Sequence, residues 1–156
     1  MKRTTLCYIE RCDQFLMLHR TKKANDDNHD KWIGIGGHIE PGETPTACIL
    51  RECEEETGLS LLDARYRGLV HFRSDVCPDE DMYLFTASRY EGSMIECDEG
   101  ELAWIEKSRL LSLTLWEGDR IFLKLLDERD SLFELTLEYS GDHLRRAVLD
   151  GNELSR

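Results

Sequence analysis

The stretch GHIEPGETPTACILRECEEETGL, residues 37–59, decides the fold because it joins a glycine-containing loop to one sharply delimited helix. Thr44 is a good N-cap residue, and Pro45 fits the first helical position, where a backbone N–H would lack a helical partner anyway. Gly58 is a natural stop, since glycine adopts the left-handed conformation at little cost. The pattern therefore predicts a helix between Thr44 and Gly58.

Three glutamates of this helix share one face. Residues advance by about 100° each along a helix, so Glu52, Glu55 and Glu56 fall within an arc of about 100°. Glu54 lies on another side. Like charges at these spacings cost roughly a few tenths of a kcal/mol per pair, and no lysine is spaced along the helix to offset them. Hard oxygen ligands suit Mg²⁺, with Mn²⁺ as the other possibility. The helix therefore predicts a divalent metal site.

An acidic helix face is most often only solvated, so the flanking residues matter. Ile49, Leu50 and Cys53 supply an apolar flank that can dock the helix on a sheet, which leaves the acidic face to a cleft. Arg51 comes from the same crowded helix, so we interpret it as an orienting partner for a carboxylate and not as a phosphate clamp.

The composition limits the remaining possibilities. With 156 residues, 40% of them hydrophobic, the chain can build one core, and we expect a single domain over residues 1–156. Its 32 acidic and 20 basic residues give a net charge of −12, which disfavours a polymeric nucleic acid as partner. A divalent cation can still bridge such a protein to a small phosphorylated ligand.

The N-terminal segment MKRTTLCYIERCDQFLMLHR contains no apolar run long enough for a signal peptide or a membrane span. It predicts a cytoplasmic protein without a membrane partner. The six cysteines are scattered without a C-x-x-C pair, so we expect reduced, mostly structural thiols. The sequence leaves the oligomeric state open.

The remaining elements alternate between strand and helix patterns. Apolar and β-branched runs predict strands at residues 4–10, 15–20, 65–72, 82–88 and 101–105. Helical spacing of Ile121, Phe122 and Leu125 predicts a second helix over residues 115–128. From Leu132 on, alternating apolar residues and the turn at Gly141 predict a C-terminal β-hairpin that ends at residue 149. The fold class is therefore mixed α/β.

Read as a string, residues 37–59 resemble the Nudix box, and Cys53 at a usually aliphatic position is the one soft departure. The matching positions are Gly37, Glu43, Arg51, Glu52, Glu55, Glu56, Gly58 and Leu59. The resemblance implies a Nudix hydrolase with an α/β/α sandwich, a mixed β-sheet and the C-terminal β-hairpin. It also implies metal-dependent attack of water on a diphosphate.

The resemblance further assigns roles within and near the box. The implied metal ligands are the Gly36 carbonyl, Glu52, Glu55, Glu56 and Glu99. The implied catalytic residues are Glu52, Glu55 and Glu99, and the supporting residues of the motif are Gly37, Glu43, Arg51 and Gly58. Glu52 and a carboxylate of the segment CDEGELAW, for which we favour Glu99, compete as general base. An ordinary acidic turn is the other interpretation of that segment.

Beyond the box, KWIGIGGH, DEGELAW and LWEGD are similar to the MutT-like branch that hydrolyses oxidised purine nucleoside triphosphates such as 8-oxo-dGTP. That likeness implies stacking of the base on Trp116 and hydrogen bonding by Asp119, although Trp116 also fits a packed core tryptophan. Ile33 replaces a base-reading asparagine of that branch, which removes a donor and an acceptor. Lys23 either contacts phosphate or ribose or is merely solvated.

Three functions therefore compete. The favoured one is a pyrophosphohydrolase that converts an oxidised purine triphosphate into a nucleoside monophosphate and pyrophosphate, thereby sanitising the nucleotide pool for DNA repair. The second is a Nudix hydrolase of ADP-ribose, a nucleotide sugar or a dinucleoside polyphosphate. The third is a non-catalytic nucleotide sensor, which would be expected to lose some of the carboxylates that this chain keeps.

Overall fold

The computed structural model describes residues 1–22 and 28–155. In chain order the strands are β1 Lys2–Arg11, β2 Gln14–His19, β3 Trp32–Ile33, β4 Ile35–His38, β5 Ser60–Leu61, β6 Arg65–Ser74, β7 Glu80–Ala87, β8 Tyr90–Glu91, β9 Glu101–Glu106, β10 Phe133–Ser140, β11 His143–Leu149 and β12 Asn152–Glu153. Helix α1 spans Pro45–Thr57, helix α2 spans Glu117–Glu128, and a 3-10 helix occupies Lys107–Ser112.

Most strands join one mixed sheet in the order β12-β11-β10-β6-β7-β1-β2-β3, with β4 paired to β1 and β9 paired to β2. The β1/β7 and β6/β10 pairs are parallel, and the other pairs are antiparallel. Strands β5 and β8 form a separate small ribbon. The mixed sheet predicted for the fold is confirmed.

Strand β1 changes partner along one of its edges. Its first half pairs with β4, where Leu6 lies opposite Gly36, and its second half pairs with β2, where Ile9 lies opposite Leu16. The other edge pairs with β7 throughout. The change of partner allows β4 to diverge from β2 and to deliver the loop before α1 to one face of the sheet.

The two helices cover opposite faces of the sheet, as expected for an α/β/α sandwich. Side chains alternate along a strand, so β1 sends Tyr8 to one apolar cluster and Ile9 to the other. Phe122 of α2 packs in the first cluster, and Ile49 and Cys53 of α1 pack in the second. The predicted apolar flank of α1 is thus confirmed for Ile49 and Cys53, whereas the prediction for Leu50 is wrong, because its side chain is 37% exposed and lies outside the cluster.

The strands predicted at residues 4–10 and 15–20 pair as the hairpin β1–β2, and the predicted C-terminal β10–β11 hairpin is confirmed. Helix α2 begins at Glu117, later than the predicted residue 115, because Trp116 keeps an extended backbone with φ −62° and ψ 143°. Sequence patterns did not predict the two-residue strands or the 3-10 helix. In the described part of the chain, no helix is both long and apolar enough to cross a membrane.

Candidate active site

Helix α1 has the predicted caps at both ends. The Thr44 hydroxyl accepts a hydrogen bond from the Ala47 N–H at 3.1 Å, and Pro45 occupies the first turn. Gly58 has a φ of +81°, and its N–H donates to the Glu54 carbonyl at 2.9 Å. These caps fix the length of the helix, and therefore they fix the turn from which each glutamate projects.

Close contact between α1 and β4 places the Glu52 carboxyl against the sheet. A Cβ added to Gly37 would lie 2.5 Å from the Glu52 carboxyl carbon, so any other residue would displace that carboxyl. A Cβ added to Gly36 would lie 1.9 Å from the Thr5 carbonyl oxygen of β1. The two glycines therefore let backbone and carboxylate approach closely. The role of the Gly36 carbonyl as a ligand stays a prediction.

Arg51 is the common partner of three carboxylates. Its Nε and Nη2 donate to the two oxygens of Glu43 at 2.8 and 3.0 Å, and its Nη1 donates to Glu52 at 2.9 Å and Glu55 at 3.2 Å. The hydrogen bonds from Arg51 lower the pKa of Glu43 to about 2. Arg51 thus contacts carboxylates, as expected of an orienting partner, and it offsets part of the negative charge that no lysine of the helix offsets.

The glutamates of α1 differ in their surroundings. The Glu55 side chain is 59% exposed, whereas that of Glu52 is 16% exposed. Burial raises the pKa of the Glu52 carboxyl above its usual value, and the charges of Glu55 and Glu99 act in the same direction, while Arg51 opposes them. Glu55 thus lies at the rim of the site and Glu52 lies inside it.

The segment before β9 reaches the end of α1. Glu56, Cys97 and Glu99 each offer one ligand atom, and these three atoms lie within 4.8 Å of one another. Burial, together with a hydrogen bond to Glu99, raises the pKa of Glu56 far above that of an ordinary glutamate. In the described residues, Oε2 of Glu56 is buried without a hydrogen-bond partner. This pair of carboxyls is therefore suited to a cation.

Contacts from the end of β2 hold this segment in place. Arg20 Nη1 donates to Glu99 at 3.1 Å, and Lys22 Nζ donates to the Cys97 carbonyl at 2.7 Å. Sequence analysis selected Glu99 but classed Cys97 as a structural thiol. The signal for Cys97 was its position two residues before Glu99.

The side chain of Trp116 is partly buried at the start of α2. It meets Tyr139 edge to face with ring centroids 5.7 Å apart, and its Nε1 donates to Asn28 Oδ1 at 2.7 Å. The Lys31 ammonium lies 4.7 Å from the centroid of the indole ring. None of these three contacts of Trp116 was predicted from the sequence, because the partners come from distant parts of the chain.

Asp119 is 4% exposed in the first turn of α2. Burial raises the pKa of its carboxyl to about 8, with a further increase from Glu80 and a decrease from Lys31. At neutral pH the group is therefore mostly protonated, and it can both donate and accept a hydrogen bond.

The C-terminal hairpin supports this end of α2. The Gly118 N–H donates to the Tyr139 hydroxyl at 2.7 Å, and Glu117 accepts from the Leu144 N–H at 3.2 Å. A Cβ on Gly118 would lie 2.5 Å from Leu137 Cδ1, so the helix packs tightly on β10.

The structure does not bring all the predicted substrate contacts to one cluster. Ile33 packs with the α1-side cluster, whereas Trp116 packs with the α2-side cluster. Ile33 pairs with Leu18 in β2, and the neighbouring Trp32 pairs with His19, so alternation sends Ile33 to the α1 face. Lys23, the predicted phosphate or ribose contact, lies outside the described residues.

Comparison with known proteins identifies the class. The sequence profile of the NUDIX domain matches residues 1–126, and this chain belongs to that family. It is a hydrolase that acts on pyrophosphate bonds in nucleotide derivatives.

Individual relatives agree with this class. The uncharacterized Nudix hydrolase YvcI of Bacillus subtilis is 26% identical over 150 residues, which cover 91% of this chain and 89% of the relative. The oxidized purine nucleoside triphosphate hydrolase of Danio rerio is 31% identical over 98 residues, which cover 62% of each chain. The crystal structure of a MutT protein from Bacillus halodurans superposes with a TM-score of 0.86 at 28% identity, over 96% of this chain and 98% of that chain.

Nudix hydrolases generally use a divalent metal ion, and the residues of this chain fit one. Oε2 of Glu56 is buried without a hydrogen-bond partner among the described residues. The ligand atoms of Glu56 and Glu99 lie within 4.8 Å of each other, so these two hard oxygen donors can bind one cation. A cation there would favour the ionised form of Glu56, which burial otherwise disfavours.

Proposed function

We propose that residues 1–156 act as one Nudix domain that hydrolyses an oxidised purine nucleoside triphosphate, such as 8-oxo-dGTP. The products are a nucleoside monophosphate and pyrophosphate. The protein would act in the cytoplasm, where it would remove damaged nucleotides before they enter DNA. It requires a small nucleotide as substrate and no polymeric nucleic acid or membrane.

The observation that supports the substrate class is the position of the buried Asp119 carboxyl in the first turn of α2, where the Asp119 N–H donates to the Trp116 carbonyl at 3.1 Å. A purine base presents a flat π-surface together with donors and acceptors on one edge. Trp116 offers a ring for stacking, and Asp119 offers one donor and one acceptor. The likeness to the oxidized purine nucleoside triphosphate hydrolase of Danio rerio supports the same class.

For the metal, we propose Glu56 and Glu99 as the inner ligands, with Glu52, Glu55 and the Gly36 carbonyl completing the set. When bound, Mg²⁺ or Mn²⁺ would offset charge on the diphosphate oxygens and acidify the attacking water.

The residues of the chain perform the remaining tasks. Arg51 holds Glu52 and Glu43 in fixed positions through three hydrogen bonds of 3.0 Å or less. Glu52 and Glu99 are the two candidates for the proton acceptor from water. Arg20 fixes the Glu99 carboxylate, so both candidates are oriented before the substrate binds.

A second candidate function rests on Ile33. Its aliphatic side chain cannot read a base edge, and it packs on the α1 face away from the cluster of Trp116. Selectivity for the base would then be relaxed, and ADP-ribose, a nucleotide sugar or a dinucleoside polyphosphate would be the substrate. A non-catalytic sensor is disfavoured because Glu52, Glu55 and Glu56 are all present.

A substrate panel tests the proposal. Purified protein with Mg²⁺ or Mn²⁺ would be assayed on dGTP, 8-oxo-dGTP, 2-hydroxy-dATP, ADP-ribose and a dinucleoside tetraphosphate, with identification of all products. We expect pyrophosphate release from an oxidised triphosphate with kcat/KM at least about tenfold above dGTP, a difference of about 1.4 kcal/mol. If no triphosphate releases pyrophosphate, the substrate class is wrong.

A further inference from the structure

Strand β7 brings a second carboxyl group to the face of the sheet on which Trp116 lies. Glu80, the first residue of β7, is the direct partner of Phe72 in β6, so both side chains point to the same face. Phe72 packs against the α2-side cluster. The centroid of its ring is 6.5 Å from that of Tyr139, and the centroid of Tyr139 is 5.7 Å from that of Trp116. Glu80 therefore lies on the α2 face, at one end of this row of aromatic side chains.

The Glu80 carboxylate is held in place but keeps free acceptor sites. The Thr4 hydroxyl of β1 donates to its Oε2 at 2.7 Å. Among the described residues, Oε1 has no hydrogen-bond donor, and no lysine or arginine forms an ion pair with the carboxylate. The residue is partly exposed, and a carboxylate can accept about four hydrogen bonds. A ligand from solution can therefore bind these oxygens in place of water.

Asp119 complements Glu80 in its hydrogen-bonding capacity. Burial, and after it the charge of Glu80, raises the pKa of Asp119 to about 8, so the two carboxyl groups are near enough to interact. Asp119 is almost fully buried, and no described residue forms a hydrogen bond with its carboxyl group. A protonated carboxyl group can donate a hydrogen bond, whereas a carboxylate only accepts. Together the two groups present two acceptor oxygens and one donor on the same face.

The Watson–Crick edge of guanine, which 8-oxoguanine keeps, has the complementary pattern. Its N1–H and 2-amino group are adjacent donors, and O6 beside them is an acceptor. A carboxylate can accept from both donors with its two oxygens, and a protonated carboxyl group can donate to O6. Adenine has an unprotonated N1 at this position, which would meet the lone pairs of Glu80 without a hydrogen between them. The arrangement therefore favours guanine over adenine.

We infer that Glu80 selects the base of the substrate, by accepting hydrogen bonds from N1–H and the 2-amino group of a guanine-type base stacked on Trp116. This role of Glu80 rests on the proposed function. Ile33 packs on the opposite face of the sheet and takes no part in the contact. Glu80 thus supplies from β7 an acceptor that the aliphatic side chain of Ile33 lacks.

A paired deletion in substrate and protein tests this contact. 8-oxo-dGTP and 8-oxo-dITP differ only in the 2-amino group, and kcat/KM for both would be measured in wild type, Glu80→Met and Glu80→Gln. We expect wild type to prefer 8-oxo-dGTP by about tenfold, and Glu80→Met, which lacks both carboxylate oxygens, to lose most of this preference. Glu80→Gln keeps one acceptor oxygen and should show an intermediate ratio. The matched control is Glu91→Met, because Glu91 is exposed in the separate β5–β8 ribbon, and it should keep the wild-type ratio.

Binding measurements give the same ratio without turnover. 8-oxo-dGMP and 8-oxo-dIMP would be titrated into each variant in the presence of EDTA and followed by nuclear magnetic resonance. A wild type that hydrolyses neither triphosphate would refute the proposed function, while the ratio for the monophosphates would still decide the role of Glu80. The inference is overturned if wild type binds neither monophosphate or both equally, if Glu80→Met keeps the wild-type ratio, or if Glu91→Met loses it.

Discussion

The two faces of the sheet place carboxyl groups in different surroundings. On the α1 face, Glu43, Glu52 and Glu55 surround the Arg51 guanidinium, so negative charges are held by a positive one. On the α2 face, Asp119 is buried without an ion pair among the described residues, and burial raises its pKa to about 8. Arg51 therefore favours the ionised form of Glu43, whereas burial favours the neutral form of Asp119, as it does that of Glu56 at the end of α1.

The difference separates two tasks. Ionised oxygens are required to hold a divalent cation, whereas a neutral carboxyl can present both a donor and an acceptor to an uncharged base. The α1 face is consequently suited to bond cleavage and the α2 face to recognition. Substitutions on the first face should act on kcat, and those on the second should act on KM or on stability.

Removal of one inner carboxylate on the α1 face should have the largest effect. Glu56→Gln keeps the shape of the side chain but cannot become anionic, so metal binding and turnover should both fall. The expected loss in kcat exceeds the roughly 10–100-fold typical of groups that only orient a ligand. Mg²⁺ or Mn²⁺ titration by calorimetry and steady-state kinetics would measure it.

Glu54→Gln is the matched control, because Glu54 lies on the same helix and is exposed. It should retain wild-type metal affinity and kcat. Equal losses in Glu54→Gln and Glu56→Gln would argue for a general charge effect, and full activity of Glu56→Gln would remove it from the ligand set.

Loss of the orienting contacts should have an intermediate effect. Glu43→Gln replaces the carboxylate that accepts two hydrogen bonds from Arg51, which frees the guanidinium to draw Glu52 and Glu55 away from the metal. We expect metal affinity to fall by about 10–100-fold with the fold retained. Calorimetric titration beside a thermal melt would show this, and an unchanged metal affinity would contradict the assigned role.

Removal of the indole on the α2 face should act on substrate binding. Trp116→Leu is expected to raise KM by roughly 5- to 150-fold, since stacking of one base contributes about 1–3 kcal/mol. Trp116→Phe should restore part of the loss. The control is Trp104→Leu, because Trp104 packs with the α1-side cluster against Tyr90. A KM effect in the control as large as that of Trp116→Leu would mean that only packing was lost.

The smallest effect concerns stability against pH. Asp119 binds its proton more tightly in the folded protein, with a pKa of about 8, than its ordinary value of 3.8 allows in the unfolded chain. Its contribution to stability is therefore fully present below about pH 3.8 and is lost as pH rises through about 8. Asp119→Asn should remove this slope.

Thermal melts between about pH 5 and about pH 9 would compare the wild type with Asp119→Asn and with the control Asp127→Asn. Asp127 is exposed on the same helix, so its substitution should leave the slope of the melting temperature unchanged. Parallel slopes for wild type and Asp119→Asn would show that Asp119 does not titrate in this window.

Local features were predictable from the sequence because their causes are local. Thr44, Pro45 and Gly58 delimit α1 through their own conformational preferences. Apolar and β-branched runs define the strands of the first hairpin, and alternation defines the first strand of the second. Glu99 was selected only through its place in the segment before β9, yet the structure brings it next to Glu56.

The features that were missed depend on pairing between distant segments. The approach of Cys97 to Glu56 requires the β2–β9 pairing, and the face on which Ile33 lies requires the β2–β3 register. Arg51 was assigned to one carboxylate, but its contacts with three of them appear only when the loop before α1 is folded back. Such long-range register is not encoded in any one window of residues.

The Tyr139 hydroxyl that receives the Gly118 N–H belongs to β10, beyond residues 1–126 that match the family profile. The first turn of α2, with Trp116 and Asp119 beside it, is thus braced by a part of the chain that the family profile does not cover. The carboxylate centre and its hairpin-braced recognition end can consequently diverge at different rates. Under the proposed function, a graft of the C-terminal hairpin between relatives should change substrate preference and leave the carboxylate centre of α1 intact.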